Sequence, residues 1–452
     1  MWVNVSPERF LDLQPMLEFP NPEAEKQKKL VQAGIVRWAG HVEPMVRLWS
    51  YGYGHERLVP MGAGLSGQRV SQEAADCYRL RTANTPWLMD HQRRAVYALA
   101  THFSGVVVAP CGGGKTQIGI GLHKVLDDYL KRPTLVVVHT QDLALQWAGR
   151  LHQCMPEGHV CYGFGAKAFG EALSGALAIG HCLLVATVQT LAEMGPELRS
   201  ARFGTIIVDE AHHTPAKTFR DVLENVTADR VYGLTATPER DDGWTPAMFA
   251  WLGPTRYEVT ADYLCRIGLT VSPKVMEVRT PFFSASGDFS AIVEALCGLE
   301  DRNALIARMV AKHGDFPQLV LTSRVDHAEA LAKLIPDAVA VVGKSKKREQ
   351  VFADVRAGLV KVLVATQLAD EGLDLPSLTA VHMTAPSRAA GRVIQRAGRV
   401  MRSAPGKGRP VVYDYVDDMG LLVSQWRSRM SAYNRFLSKV EFGRIDARRG
   451  EA

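Results

Sequence analysis

Two α/β lobes, each carried by a parallel β-sheet and preceded by a small leading domain, are the fold class predicted for this 452-residue chain. Three observations predict it. The length exceeds what one ordinary core organises and suggests two or three domains. Short β-branched runs alternate with helical patterns, as in βαβ units. Those runs fall into two series, separated by residues 238–318, where the patterns are weaker and mixed.

The first series is "GVVVAP" (105–110), "TLVVVH" (134–139), "CLLVAT" (182–187), "TIIVDE" (205–210) and "VYGLTAT" (231–237). The second is "LVLTS" (319–323), "AVAVV" (338–342), "KVLVAT" (361–366), "LTAVHMTA" (378–385) and "PVVYDYV" (410–416). Runs this continuously apolar fit strands covered by helices on both faces. The first ~80 residues differ, with a charged helical stretch "PEAEKQKKLVQAGI" and then a Gly- and aromatic-rich "RLWSYGYGHERLVPMGAGL" that reads as short strands and turns. The expected divisions are a leading accessory domain (1–82), a first lobe (83–260), a connecting region (261–315), a second lobe (316–425) and a basic C-terminal tail (426–452), read as solvated.

Composition is that of a globular protein, 47% hydrophobic and 22% charged. A net charge of +6 over this length permits a polyanionic partner without requiring one. Seven scattered cysteines with no CxxC pair argue against a disulfide framework or a zinc site and suit a reducing compartment. No signal pattern opens the chain and no apolar run reaches spanning length, so a cytoplasmic protein without membrane association is expected.

"APCGGGKTQ" (109–117) follows a strand and precedes a helical pattern, the context a phosphate-binding loop requires. Gly112, Gly113 and Gly114 let backbone N–H groups curl around phosphate oxygens, and the positive end of the next helix points at the same oxygens. Lys115 would reach the β/γ-phosphates of ATP and Thr116 would ligate Mg²⁺. Cys111 inside the loop reads as a small filler. "TIIVDEAHH" ends a strand in two acids, and the carboxyl ends of parallel strands face the ligand crevice. Asp209 is placed to hold Mg²⁺ and Glu210 to orient and deprotonate a water. His212 is expected to link the nucleotide site to the interface between the lobes, and His213 to be structural.

"VIQRAGRVMR" (393–402) poses a separate question. On a helix Gln395, Arg399 and Arg402 stand at i, i+4 and i+7, one stripe aimed at one target. From the residues alone that target is either a nucleic acid or another phosphate carrier.

Across residues 86–403 the chain resembles the superfamily 2 helicases and translocases. The carriers are "LMDHQ", the P-loop, "VVHTQDLALQW", "DEAH", "ATVQTL", "GLTATPER", "VLVATQLADEGLDLP" and "QRAGRVMR". "TATPERDDG", "LEDRNALIARMV" and the long "VVGKSKKREQVFADVRAGLVKVLVATQLADEGLDLP" are most similar to the DEAH-type group of phage branch-migration helicases, XPB-like repair translocases and type III restriction motor subunits.

The resemblance implies two tandem RecA-like lobes. It makes Gln92 the adenine reader, Thr235 and Thr237 the residues coupling hydrolysis to movement, and Gly372 and Asp374 further ATP contacts. It gives the stripe its target: Gln395 on the γ-phosphate or its attacking water, with Arg399 and Arg402 as arginine fingers brought up by lobe closure. Strand contacts are implied at Gln141, Thr187, Thr190, Ser323, Arg324 and Thr366, to phosphate and sugar rather than base. The leading domain would grip duplex DNA or a protein. The implied activity is ATP-dependent unwinding, translocation or branch migration on duplex or branched DNA, with an RNA helicase and an ATP-gated nucleic-acid clamp as open alternatives. Oligomeric state stays open, a monomer being compatible, and a bacterial or phage-infected cell is the implied setting.

Overall fold

The computed structural model describes the chain outside residues 1, 33–44, 49, 52–56, 61–62, 64–67, 215, 241, 282–287, 315, 343–347, 367–376, 387–397, 399–400, 404–406 and 448–452. It forms two compact units, Met1–Ala109 with Gly114–Val259 and Pro110–Gly113 with Thr260–Ala452. Among the described residues no helix is long and apolar enough to cross a membrane.

The leading segment contributes β1 (Trp2–Val5), β2 (Glu18–Pro20), β3 (Met45–Arg47), β4 (Ser50–Tyr51) and β5 (Arg57–Pro60). They make two small antiparallel sheets, β1-β5-β4 and β2-β3. The helix Pro7–Leu17 places Phe10, Leu13 and Leu17 in one core with Ala247 and Ala250 of the helix Thr245–Leu252. Phe19 meets Trp244 edge-on with ring centroids 5.9 Å apart. This segment therefore shares a core with the first unit.

The first unit's main sheet runs through β6 (Ser104–Val108), β7 (Thr134–Val138), β8 (Val160–Tyr162), β9 (Leu183–Thr187), β10 (Arg202–Asp209), β11 (Thr227–Thr235) and β12 (Thr255–Glu258). Their spatial order is β12-β6-β11-β10-β7-β9-β8, all parallel. Every residue of β6, β7 and β9 is buried, as apolar runs covered on both faces should be.

The second unit repeats the plan with β13 (Lys274–Thr280), β14 (Gln318–Thr322), β15 (Ala338–Val341), β16 (Val362–Thr366), β17 (Ala380–Met383), β18 (Val411–Asp417) and β19 (Glu441–Asp446), ordered β15-β16-β14-β17-β18-β13-β19 and again all parallel. Two seven-stranded parallel α/β lobes are the architecture of tandem RecA-like domains.

The divisions drawn from the sequence differ from the structure in this lobe. The region 261–315, expected as a connection, supplies β13 and the helices Phe289–Gly298 and Glu300–His313. The expected solvated tail instead completes the helix Gly420–Phe436 and adds β19 beside β13. The reason is charge-rich alternation: "KVMEVRT" and "EFGRID" bury only alternate or occasional residues, so neither reads as a core strand.

Buried polar groups staple this lobe. Arg302 grips Asp417 through Nε–Oδ1 at 2.7 Å and Nη2–Oδ2 at 3.1 Å, and Thr280 Oγ1 donates to Asp417 Oδ1 at 2.5 Å. Arg429 holds Asp414 in the same two-pronged way, with Tyr433 Oη donating to the carboxylate as well. Truncating one member of such a pair leaves an uncompensated buried charge, at a cost of about 3–5 kcal/mol. His382 is wedged between Tyr415 Oη and Gln318 Oε1, and His327 between Thr322 and Asn303.

Burial holds both imidazoles neutral, His382 down at about 3 and His327 at about 4. Their folded pKa values lie below the unfolded value, so the stability they permit is present above ~6.5 and lost as pH falls towards 4, at about 1.4 kcal/mol per pH unit for each histidine. Amide exchange of β14 and β17, corrected for its intrinsic rate, should accelerate steadily from pH 6.5 to 4.5. Constant protection over that range would refute the account.

Candidate active site

The carboxyl edge of the first sheet gathers the candidate site. β6, β11 and β10 are adjacent, so the ends of three strands distant in sequence emerge side by side. After β6 the loop turns at Gly112 (φ +87°) and Gly114 (φ +79°), backbone that glycine alone adopts readily. The helix Lys115–Leu130 starts directly from Gly114.

Lys115 Nζ stands 3.5 Å from Glu210 Oε1. Asp209, 4% exposed, has each oxygen engaged: Oδ1 accepts the Glu210 N–H at 2.9 Å and Oδ2 the Trp147 indole N–H at 2.8 Å. Glu210 itself takes left-handed backbone (φ +47°), unfavourable for a side-chain-bearing residue. Burial, then the charge of Glu210, pushes the Asp209 carboxyl up, so a cation beside it is what would keep it ionised. Burial also pushes Glu210 up, but Lys115 and then His212 outweigh it and bring it down to about 2. One buried acid that wants a cation beside an ionised one fits a Mg²⁺ site next to a water-activating carboxylate.

A run of polar contacts leads away from Glu210. His212 Nδ1 lies 3.5 Å from Glu210 Oε2 and 3.2 Å from Thr235 Oγ1. Thr235 Oγ1 donates to the Thr237 carbonyl at 2.9 Å and accepts the Thr237 N–H at 3.2 Å. The three residues given a coupling role thus form one run.

Gln92, 5% exposed, lies against the phosphate loop: its Oε1 accepts the Met89 N–H at 2.9 Å, and its Nε2 is 2.1 Å from where a Cβ on Gly114 would stand. Thr116 occupies the first turn of the loop's helix. Gln141 opens the helix Gln141–Cys154 and is exposed. Thr187 and Thr190 are buried, their hydroxyls 3.0 Å apart, and Thr187 caps the short helix that follows. Both hydroxyls are already engaged there.

In the second lobe Thr322 and Thr366 are register partners at the ends of β14 and β16. The hydroxyls of Ser323 and Thr366 are buried and meet no hydrogen-bond partner among the described residues. Arg324 leans on Ser290, donating to its carbonyl at 3.3 Å and its hydroxyl at 3.2 Å. Arg402 bridges to Thr270, and its carbonyl accepts from Lys407 Nζ at 2.9 Å. Gly372, Asp374, Gln395 and Arg399 lie outside the described residues.

Three residues of the site carry no signal that sequence reasoning used. Trp147 reaches Asp209 from the helix Gln141–Cys154. Arg240 donates to the His212 carbonyl and, through Nε at 2.8 Å, to Asp242. His139 meets His213 with rings tilted at 41° (centroids 4.7 Å), and His213 meets His212 at 38° (4.3 Å), so His213 is the middle ring of three.

A Gly114→Ala substitution adds a Cβ both against Gln92 and on left-handed backbone. Strain of about 1–2 kcal/mol should weaken binding of a fluorescent ADP by about tenfold or more while melting stays cooperative. Unchanged affinity would show that the loop does not hold phosphate.

The comparisons with known proteins agree with this geometry. Residues 86–240 match the family model "Type III restriction enzyme, res subunit", and residues 301–404 match "Helicase conserved C-terminal domain". A "DNA 3'-5' helicase XPB" of Kineococcus radiotolerans is 29% identical over 360 residues, covering 75% of this chain and 62% of the relative. A "DNA 3'-5' translocase XPB2" of Sulfurisphaera tokodaii is 27% identical over 361 residues, covering 70% of this chain and 78% of the relative. Among solved structures, the "ATP-dependent Type ISP restriction-modification enzyme LlaBIII bound to DNA" superposes with a TM-score of 0.62 at 14% identity, over 80% of this chain and 31% of that one, a likeness of fold. The chain thus spans about three fifths of the length of the first of these relatives. With both matches in tandem order on two parallel-sheet lobes, the chain belongs to the superfamily 2 helicases, related to the XPB proteins and the type III restriction motors.

Proposed function

We propose that the protein is an ATP-driven DNA helicase or translocase. The observation that carries this is the buried Asp209 beside the half-buried Glu210, with Lys115 on Glu210 and the run His212–Thr235–Thr237 leading away from it. Lys115 and the glycines of the loop bind the β/γ-phosphates, and Gln92 reads the adenine. Asp209 and Thr116 hold Mg²⁺, which when bound neutralises charge on the transferred phosphoryl group. Glu210 takes a proton from water as that oxygen bonds to the γ-phosphorus and the bond to the bridging oxygen breaks. Arg399 and Arg402 act as fingers on the developing charge, Gln395 on the water, and Gly372 and Asp374 complete the ATP contacts.

DNA is the proposed track because the XPB relatives are named as DNA helicases and translocases, and their 3'-5' polarity is proposed with it. Gln141 and Arg324, with the hydroxyls of Ser323 and Thr366, which are buried and unpaired among the described residues, would hold the strand by its backbone, so movement should ignore base sequence. Thr187 and Thr190 serve by shaping the strand-side loop. Seven scattered cysteines with no CxxC pair support a reducing, cytoplasmic setting.

ATPase rates without nucleic acid and with single-stranded DNA, duplex, a four-way junction and RNA test the reading. Stimulation by DNA is expected, and stimulation by RNA alone would sink it. Glu210→Gln should bind ATP yet barely turn over, and Lys115→Ala should lose affinity. Arg399→Ala should lose on the order of 10³-fold or more in kcat, and full activity would remove Arg399 from the site.

A further inference from the structure

We propose that Trp147 is a positioning residue that sets Asp209 for its cation and transmits DNA engagement to it. The proposal rests on the DNA-motor reading above and adds the route by which the track regulates the site.

The helix Gln141–Cys154 has two faces. Gln141, Leu145 and Gln146 are exposed, while Ala144, Trp147, Ala148 and Leu151 point into the core. A rigid helix moved at one face moves the other. Trp147 is 1% exposed, and its indole N–H donates to Asp209 Oδ2 at 2.8 Å, across 62 residues of sequence. An indole nitrogen is a donor only, so this contact orients the carboxylate and cannot relay a proton.

A second observation fixes the ring itself. A Cβ at Gly119, inside the phosphate-loop helix, would lie 2.3 Å from Trp147 Cη2 and 3.0 Å from Cζ3. A glycine weakens a helix interior, and here it opens the slot that the indole fills. Trp147 therefore touches both halves of the nucleotide site, the helix that presents Lys115 and the acid assigned to Mg²⁺. Gln141, assigned to the DNA backbone, stands at the N-terminal end of the same helix. A shift of that helix on DNA changes the direction in which Asp209 points and the seating of the loop helix together. Groups that orient a metal ligand commonly matter by 10–100-fold.

The test replaces Trp147 by Phe and, separately, by benzothienylalanine, which keeps the bicyclic shape and puts sulfur where the N–H was. Two quantities are read in the full chain: the Mg²⁺ concentration that half-saturates tightening of fluorescent-ADP binding, and the ratio of DNA-stimulated to DNA-free kcat. In both variants the first should rise by about 10–100-fold and the second should collapse towards one. Parent-like values for the benzothienylalanine protein would reduce Trp147 to packing and overturn the proposal, even if Trp147→Phe melts early. A parent unstimulated by DNA would overturn the motor reading and the transmission with it, while the Mg²⁺ measurement still decides the positioning of Asp209. Weakened Mg²⁺ binding with an unchanged stimulation ratio would confirm the positioning and refute the transmission.

Discussion

Parallel pairing is the constraint on which the rest depends. Because β6, β11 and β10 run the same way and lie side by side, every loop that leaves their carboxyl ends leaves on one edge. Lys115, Asp209 and Thr235 are scattered in sequence, and they meet only because the three strands stop at matching heights. Asp209 is itself the register partner of Leu234, one residue before Thr235. A one-residue slip of β10 would turn Asp209 to the other face of the sheet and dissolve the site.

All ten strands expected from apolar runs are present; nine are interior strands whose burial leaves an unmistakable composition, and the tenth, β15, is an edge strand with one buried residue that shows through its alternating Ala and Val. The strands that escaped notice have other surroundings. β8 and β12 close the two edges of the first sheet with three and four residues, too short to leave a pattern. β13 and β19 carry charges on their wetter faces, and the ion pairs of Arg409 and Lys274 with Glu441 sit there. Sequence composition reports the burial of a segment well and the identity of its neighbour poorly.

The candidate site divides along the same line. Its glycines and its two acids advertise themselves, since a tight phosphate loop and a strand-end carboxylate pair demand particular residue types at fixed spacing. Trp147, His139 and Arg240 advertise nothing. Their roles come from partners 62, 74 and 28 residues away, Asp209, His213 and His212, and a tryptophan in an amphipathic helix is indistinguishable from ordinary core until its N–H is seen to meet a carboxylate. In the second lobe polar groups are buried for a different purpose: Asp414 and Asp417, both on β18, anchor the helices Gly420–Phe436 and Glu300–His313 through their arginines.

The left-handed backbone at Glu210 has a consequence for how this protein could be improved or ruined. A conformation costing roughly 1–2 kcal/mol in any L-residue is relieved by glycine and eased by asparagine. The acid is thus held where its own backbone would rather have another residue. A selection scheme that rewards heat tolerance alone would find that relief early, and the sturdier progeny would have shed the acid from the candidate site.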